Sequence, residues 1–421
     1  MENNGRKYLT THGFIKYSLN LREATYKLWL LLGAAESKCM HLAGIPLRPE
    51  KQQELNQISL RKGVRATTAI EGNTLTEEDV ERIYHSGADS LPLSRRYQAQ
   101  EVENVLKVYN GIIRQVEGGK GCDVSIEALK ADNALILKNV TLEAHVSAGE
   151  IRTYPVLVGN AYKGAPAEDC EYLLDKLFSW LNDDWGLNAE HPIVEGILKA
   201  IISHLYIVWI HPFGDGNGRT ARVLEFRMLM RAGVPLTAAH LLTSYYNDTR
   251  DLYYNKLNVS SRKLNGELEF IQYAVQGFVD ALDMQIASIL EEQLNVTWVN
   301  YIHTVHFGGK LTPALRRRRD LLLSISAFPK AISLKELRYR LPAEILNQYQ
   351  SSPRMLALDM SYLEKEGLIR KVAEGYEAAK DKVKAFLPLR REEDYDDRDE
   401  AWESLGEPVS ISELEAALEA L

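Results

Sequence analysis

Residues 211–222 (HPFGDGNGRTAR) bring together a histidine, an acid, three glycines, an asparagine and two arginines. Each type contributes a separate capability. Gly214, Gly216 and Gly218 let the backbone approach a ligand closely and turn successive N–H groups toward it. Residues 220–230 (TARVLEFRMLM) form helix strongly, so the glycines run into a helix N-terminus, whose free donors and partial positive charge favour phosphate. Arg219 opens that helix and Arg222 follows one turn later on the same face, so both guanidiniums can reach one anion. Asp215 offers a hard oxygen ligand for magnesium, which needs only one or two protein carboxylates when phosphates supply the rest. His211 can take a proton from an attacking hydroxyl. Glycines alone would mark only a turn between helices; the complete string has the parts of a nucleotidyl-transfer site.

Those residues need a frame. Residues 201–210 (IISHLYIVWI) are nearly all apolar and read as a buried helix that ends at the Pro212 turn. His204 lies seven residues before His211 on roughly the same face and reads as a packing or orienting residue. Phe213, with no proton or charge to offer, reads as an anchor for the loop. Helices are expected over 19–43, 50–71, 97–116, 125–137, 166–181, 191–210, 247–258 and 268–290, with residues 1–16 a polar arm. The second of these ends in KGVRATTAIEGN, where Gly72 and Asn73 are helix-stop residues, and Thr76 caps the next helix. Residues 151–158 (IRTYPVLV) read as a strand before a Gly159-Asn160 turn, and Pro155 makes it an edge strand. Residues 295–313 read as a linker. Its His303 and His306 are spaced one residue closer than a zinc protease's pair and lack the glutamate, so no metal site is expected there.

With 421 residues the chain is too long for one ordinary core. A hydrophobic share of 45% and a charged share of 26% are those of a soluble globular protein. The longest early apolar run, 28–35, is too short to span a bilayer, and no leader-like segment opens the chain. Cys39, Cys122 and Cys170 are odd in number and scattered, which argues against a disulfide framework or zinc site. A cytoplasmic protein without membrane contact is expected. The net charge of −8 hides an asymmetry: residues 310–391 carry 18 Lys/Arg against 9 Asp/Glu, and residues 392–421 carry 1 against 12. A basic module before an acidic tail fits nucleic-acid binding, self-masking or a solvated surface.

The string 211–222 matches HxFx(D/E)GNGRxxR at every defined position, and the chain resembles the Fic (filamentation induced by cAMP) family from about residue 10 to 290. The resemblance implies a mainly α fold, a Fic-type helical bundle with a small β-hairpin flap, and a protein adenylyltransferase that moves AMP from ATP to a Tyr, Ser or Thr hydroxyl of a protein. It implies His211 as general base, Asp215 as the Mg²⁺ ligand, and Gly214, Gly216, Asn217, Gly218, Arg219 and Arg222 as ATP-phosphate contacts. Thr67, Glu71 and Gly72 resemble the family's inhibitory motif (S/T)xxxE(G/N), with Glu71 pairing Arg222. Residues 148–159 (AGEIRTYPVLVG) resemble the flap that holds the target, which implies docking through Arg152, Tyr154, Val156, Val158 and Gly159. Tyr253 and Tyr254 would line the adenine pocket in that family; aromatic core packing reads them equally well. Residues 320–327, 334–340 and 353–366 followed by a hairpin over 368–378 resemble a winged helix, which would bind DNA or a protein. The expected organisation is 1–95 with the inhibitory helix, 96–295 as catalytic core, 310–390 as winged helix and 391–421 as acidic tail; a homodimer is a further assembly considered. The rival to an enzyme is a regulator that binds DNA and senses nucleotide.

Overall fold

The computed structural model describes residues 5–119, 122–158, 162–185, 190–349 and 353–384. The acidic tail and Gly159 lie outside these. The described chain is mainly helical with a small two-stranded hairpin, as expected. It divides into two units at Ser288/Ile289.

The first unit is organised on its most apolar helix. α1 (Tyr8–Thr11), α2 (Tyr26–Gly44), α3 (Pro49–Ile70), α4 (Glu77–Ser86), α5 (Arg96–Glu117) and α6 (Ile126–Ile136) precede the hairpin of β1 (Leu157–Val158) and β2 (Tyr162–Lys163). α7 (Cys170–Asn182), α8 (Pro192–Ile210), α9 (Asn217–Arg231), α10 (Leu241–Asp248), α11 (Arg250–Ser260) and α12 (Gly266–Tyr301) follow. α8 is apolar on all sides, and such a helix must be covered all round. By length and composition it could cross a membrane, but 72% of its apolar window is buried inside the fold. α9 packs along it, so the loop 211–216 is held between the two most enclosed helices of the unit. The crossing is close: a Cβ at Gly196 would stand 2.1 Å from Ala232 Cβ. α3, α5 and α6 pack on α9 from the other side, and α10 packs on α3.

Several boundaries differ from expectation. Residues 5–16 are not a free arm. Tyr8, His12 and Ile15 are buried, the Tyr8 N–H donates to Asp169 Oδ2 at 2.8 Å, and His12 Nε2 bonds Lys163 O at 2.9 Å. No division falls near residue 95, because α3 and α4 pack directly on α5. The capping box over Thr76 and Asp79 starts α4.

The second unit contains the end of α12, then α13 (Pro313–Ser326), α14 (Leu334–Arg340), α15 (Ala343–Tyr349), α16 (Pro353–Lys365) and the hairpin of β3 (Ile369–Val372) and β4 (Gly375–Ala378). The expected linker at 295–313 is half helix, because Trp298 and Ile302 are buried in this unit's core. α15 was not anticipated. β4 also bridges Ile332 through Tyr376. Asp359, 1% exposed, takes both Arg317 Nε at 2.7 Å and Arg318 Nε at 2.8 Å, with the Tyr349 hydroxyl donating at 3.0 Å. Burial opposes ionisation of Asp359, but those two guanidiniums and the phenol outweigh it and hold its pKa below the usual range.

The tight α8–α9 crossing makes the first prediction. Gly196→Val should destabilise the chain by about 1–3 kcal/mol through overpacking, and adding Ala232→Gly should recover part of the loss in denaturant unfolding. Unchanged stability of Gly196→Val would contradict the crossing.

Candidate active site

His211 ends α8 in the left-handed region, at φ 54°, a conformation that needs outside support in a non-glycine residue. Arg152 supplies it. Its Nε donates to His211 O at 2.7 Å, and its remaining N–H groups go to Tyr154 O at 2.6 Å, Ala165 O at 2.5 Å and Ile210 O at 3.3 Å. The backbone joins in, with the Arg152 N–H donating to Pro212 O at 2.9 Å. Arg152 is 3% exposed, so the expectation that it docks a target is corrected: it braces the loop. His211 Nδ1 lies 3.3 Å from Val208 O, and a carbonyl can only accept, so Nδ1 carries the proton and Nε2 the lone pair. Burial pushes the imidazole pKa down to about 4, helped by Arg152, while the Val208 hydrogen bond, Glu71 and Asp215 pull upward. At neutral pH the ring is an uncharged base.

The rest of the loop is closed by an internal ring. Asn217 Oδ1 accepts from the Phe213 N–H at 2.9 Å and its Nδ2 donates to Phe213 O at 2.8 Å. That corrects the reading of its side chain as a phosphate contact; its backbone N–H belongs to the first turn of α9, where helix-end donors lack an intrahelical partner. Gly216 turns the chain at φ 75°. Asn133 on α6 ties the turn down, donating to Asp215 O at 3.0 Å and Thr220 Oγ1 at 3.1 Å while accepting from the Gly149 N–H at 2.9 Å. The sequence reading missed Asn133; a lone buried amide between Leu129 and Ile136 on α6 was the available signal. Asp215 Oδ1 accepts from the Gly216 N–H at 2.5 Å, and the side chain stays 47% exposed.

Two arginines face this turn, each held by a carboxylate from another helix. Arg222 is 1% exposed. Its Nε donates to Thr67 Oγ1 at 2.8 Å, and its Nη2 donates to Thr67 O at 3.0 Å and Glu71 Oε1 at 2.5 Å. Glu71, at the C-terminus of α3, lies so close over Gly218 that a Cβ there would stand 2.3 Å from Glu71 Oε1. The carboxylate therefore sits at the N-terminus of α9, where an anion is favoured. Burial works against its ionisation, but Arg222 first, then Arg219 and His211, hold its pKa below the ordinary range. Arg219 donates from Nη1 to Glu101 Oε1 at 2.7 Å and from Nη2 to Asp215 Oδ1 at 3.4 Å. Glu101 and the Thr67 contacts were not foreseen.

Residues 124–229 match the Fic/DOC family. The matched segment runs from α6 to α9, and so includes the loop and both arginines but neither Glu71 nor Tyr253. The chain is 30% identical over 240 residues to the protein adenylyltransferase fic-1 of Caenorhabditis briggsae, covering 55% of this chain and 44% of that one. It is 32% identical over 227 residues to the protein adenylyltransferase Fic of Nematostella vectensis, covering 53% and 48%. The chain thus spans about half the length of the curated relatives it matches. The crystal structure of a Fic family protein from Desulfovibrio desulfuricans G20 superposes with a TM-score of 0.51 at 18% identity, over 86% of this chain and 98% of that one, a likeness of fold.

The flap, inside the segment that matches Fic/DOC, and the tyrosines beyond it differ from expectation. Only residues 157–158 pair as a strand, with 162–163, while Ile151 makes a single bridge to Phe213. Val156 O accepts from the Gly164 N–H at 3.2 Å, Val158 is in register with Tyr162, and Leu157 is 65% exposed. Tyr154 closes on the loop: a Cβ at Gly214 would come 2.2 Å from its hydroxyl. Tyr253 is buried, stacked on Tyr246 and hydrogen-bonded to His204 Nε2 at 2.9 Å, so it belongs to the aromatic core and offers no face to adenine. Tyr254 is partly exposed, its hydroxyl 3.4 Å from Ile70 O beside Glu71. Among the described residues no group of His, Cys, Asp and Glu forms a metal cluster, His303 and His306 included.

The His211 geometry predicts its titration. Nitrogen NMR of the full chain should give a midpoint of about 4 with Nδ1 protonated above it. Because the unfolded chain takes this proton near 6.5, stability contributed at this site is lost as pH falls from 6.5 toward 4. A midpoint at or above 6.5 would contradict the half-buried, neutral ring.

Proposed function

We propose that this chain is a protein adenylyltransferase, moving AMP from ATP to a Tyr, Ser or Thr hydroxyl of a protein, and that Glu71 restrains it. The observation that carries the reading is a neutral imidazole, fixed with Nε2 as its basic nitrogen, beside a glycine-rich helix N-terminus faced by two arginines. The relatives' names support the same activity. In the forward step the target hydroxyl gives its proton to His211 Nε2 as its oxygen bonds the α-phosphorus. The bond from that phosphorus to the pyrophosphate oxygen breaks in line. The α9 N-terminus and the arginines neutralise the phosphates, so the chemistry is mostly positioning and charge compensation.

Magnesium fits the donor set. A single half-exposed carboxylate, Asp215, suffices where phosphates and water complete the shell. When bound there, the ion would supply charge neutralisation on the phosphate oxygens. Glu71 would act as the inhibitor because its carboxylate holds Arg222 and stands where a phosphate anion would lie.

We read the second unit as a winged helix that selects targets. Its DNA-binding role is disfavoured by one observation: Arg317 and Arg318, the centre of the basic run, are spent on Asp359. The buried free thiols Cys39, Cys122 and Cys170 agree with a cytoplasmic setting.

With α-labelled ATP and Mg²⁺, His211→Ala should lose auto-labelling while retaining nucleotide binding. Glu71→Gly should raise the initial rate by about tenfold or more, about 1.4 kcal/mol off the barrier. Glu71→Gly with Arg222→Ala should lose that gain. Near-normal labelling by His211→Ala would refute the base, and equal rates for wild type and Glu71→Gly would refute the restraint.

A further inference from the structure

The carboxylates that hold the two arginines are linked through Asn73. Glu101, on α5, accepts from Arg219 Nη1 through Oε1 at 2.7 Å and from Asn73 Nδ2 through Oε2 at 3.0 Å. Asn73, Glu101 and Arg219 are all buried. Asn73 stands two residues beyond Glu71, and every polar atom of its amide is in use. Nδ2 also donates to Gln98 O at 3.0 Å, and Oδ1 accepts from the Leu75 N–H at 3.1 Å. Its backbone N–H donates to Thr68 O at 3.1 Å. The turn that ends α3 and carries Glu71 is therefore pinned to α5 through one amide and one carboxylate. An ionised carboxylate is the one side chain of this length that can accept from both neighbours at once. An amide at 101 would turn a donor toward Asn73 or toward Arg219.

We propose that Glu101 is a positioning residue for both arginines. One oxygen aims Arg219 across to Asp215, and the other fixes, through Asn73, the turn that sets Glu71 on Arg222. The Arg219 arm concerns nucleotide binding. The Asn73 arm rests on the reading of Glu71 as restraint given above.

The test uses the full chain in two readouts. The first is the affinity for Mg·ADP by calorimetry in the Glu71→Gly background, where no turnover intervenes. The second is an inhibition factor, the auto-labelling rate of a variant carrying Glu71→Gly divided by the rate of the same variant with Glu71 intact, at saturating Mg·ATP. Dividing the rates cancels damage to catalysis itself. Glu101→Gln should weaken Mg·ADP by about tenfold, as expected for loss of a charged hydrogen-bond partner, and should lower the inhibition factor. Asn73→Asp keeps the acceptor for the Leu75 N–H but sets a carboxylate against both Glu101 and Gln98 O. It should cut the inhibition factor by about fivefold while leaving Mg·ADP affinity within about twofold. The double variant Asn73→Asp with Glu101→Gln restores a donor–acceptor pair with residue 101 in the reversed sense but keeps the acceptor–acceptor contact with Gln98 O. The inhibition factor should therefore recover in part while Mg·ADP stays weak. A merely structural role predicts no such recovery.

An inhibition factor unmoved by Asn73→Asp, or no higher in the double variant than in Asn73→Asp alone, overturns the Asn73 arm. Unchanged Mg·ADP affinity in Glu101→Gln overturns the Arg219 arm. If Glu101→Gln does not fold, Glu101→Asp, which keeps the charge but shortens its reach, should weaken Mg·ADP by about threefold, and unaltered affinity there overturns the same arm. An inhibition factor near one for the unaltered pair means the restraint by Glu71 has failed, and Mg·ADP affinity still judges Glu101 on its own.

Discussion

Arg222 is a buried guanidinium, and a buried charge must be matched by partners or its desolvation is left uncompensated. Much of the first unit follows from that need. In the described structure Thr67 and Glu71 of α3 satisfy it, which ties α3 to the Fic/DOC segment across more than a hundred residues of chain. The same carboxylate covers the N-terminus of α9, satisfying a second electrostatic demand with one group. A nucleotide phosphate would meet both demands equally well. On the proposed reading, restraint and catalysis would draw on this one site, and the difference between them would be which anion fills it.

The loop can serve that site because its shape is set by groups other than those that would react. Arg152 holds the left-handed His211, the Asn217 amide closes the loop on Phe213, and Asn133 ties the turn to α6. None of the three side chains is exposed enough to serve as a free ligand. Their work leaves the His211 Nε2 lone pair unused, the Asp215 carboxylate half-exposed and the N-terminus of α9 beneath Glu71, on a backbone that need not rearrange, the condition under which fixed dipoles contribute most to a reaction.

Residues 211–222 were legible because their chemistry lies in one continuous string, and Glu71 was legible because a short motif marks it. The partners were not, since each joins elements far apart in sequence: Glu101 meets Arg219 across 118 residues, and Arg152 meets His211 across 59. Arg152 reads as a strand residue with its charge outward until the hairpin folds it under the loop. Asn217 was misread for a related reason, since a conspicuous amide in a phosphate-type loop can bind a ligand or brace the backbone, and only the closed ring with Phe213 decides. Tyr253 and Tyr254 are adjacent, so periodicity puts them on different faces without saying which one is core. The buried N-terminal segment was legible in principle: Tyr8, His12 and Ile15 recur at helical spacing, a pattern obscured by the polar residues between them.

Competition between Glu71 and a phosphate for Arg222 is tested most directly at equilibrium, by comparing Mg·ATP with Mg·ADP in calorimetry on the full chain. Resemblance to the Fic family implies that Arg222 takes the terminal phosphate of ATP. With Arg222 held by Glu71 that phosphate gains nothing, and wild type should bind the two nucleotides with affinities within about threefold. Once Glu71→Gly frees the guanidinium, Mg·ATP should bind at least about tenfold more tightly than Mg·ADP. The same ATP-to-ADP ratio in both proteins would contradict the competition.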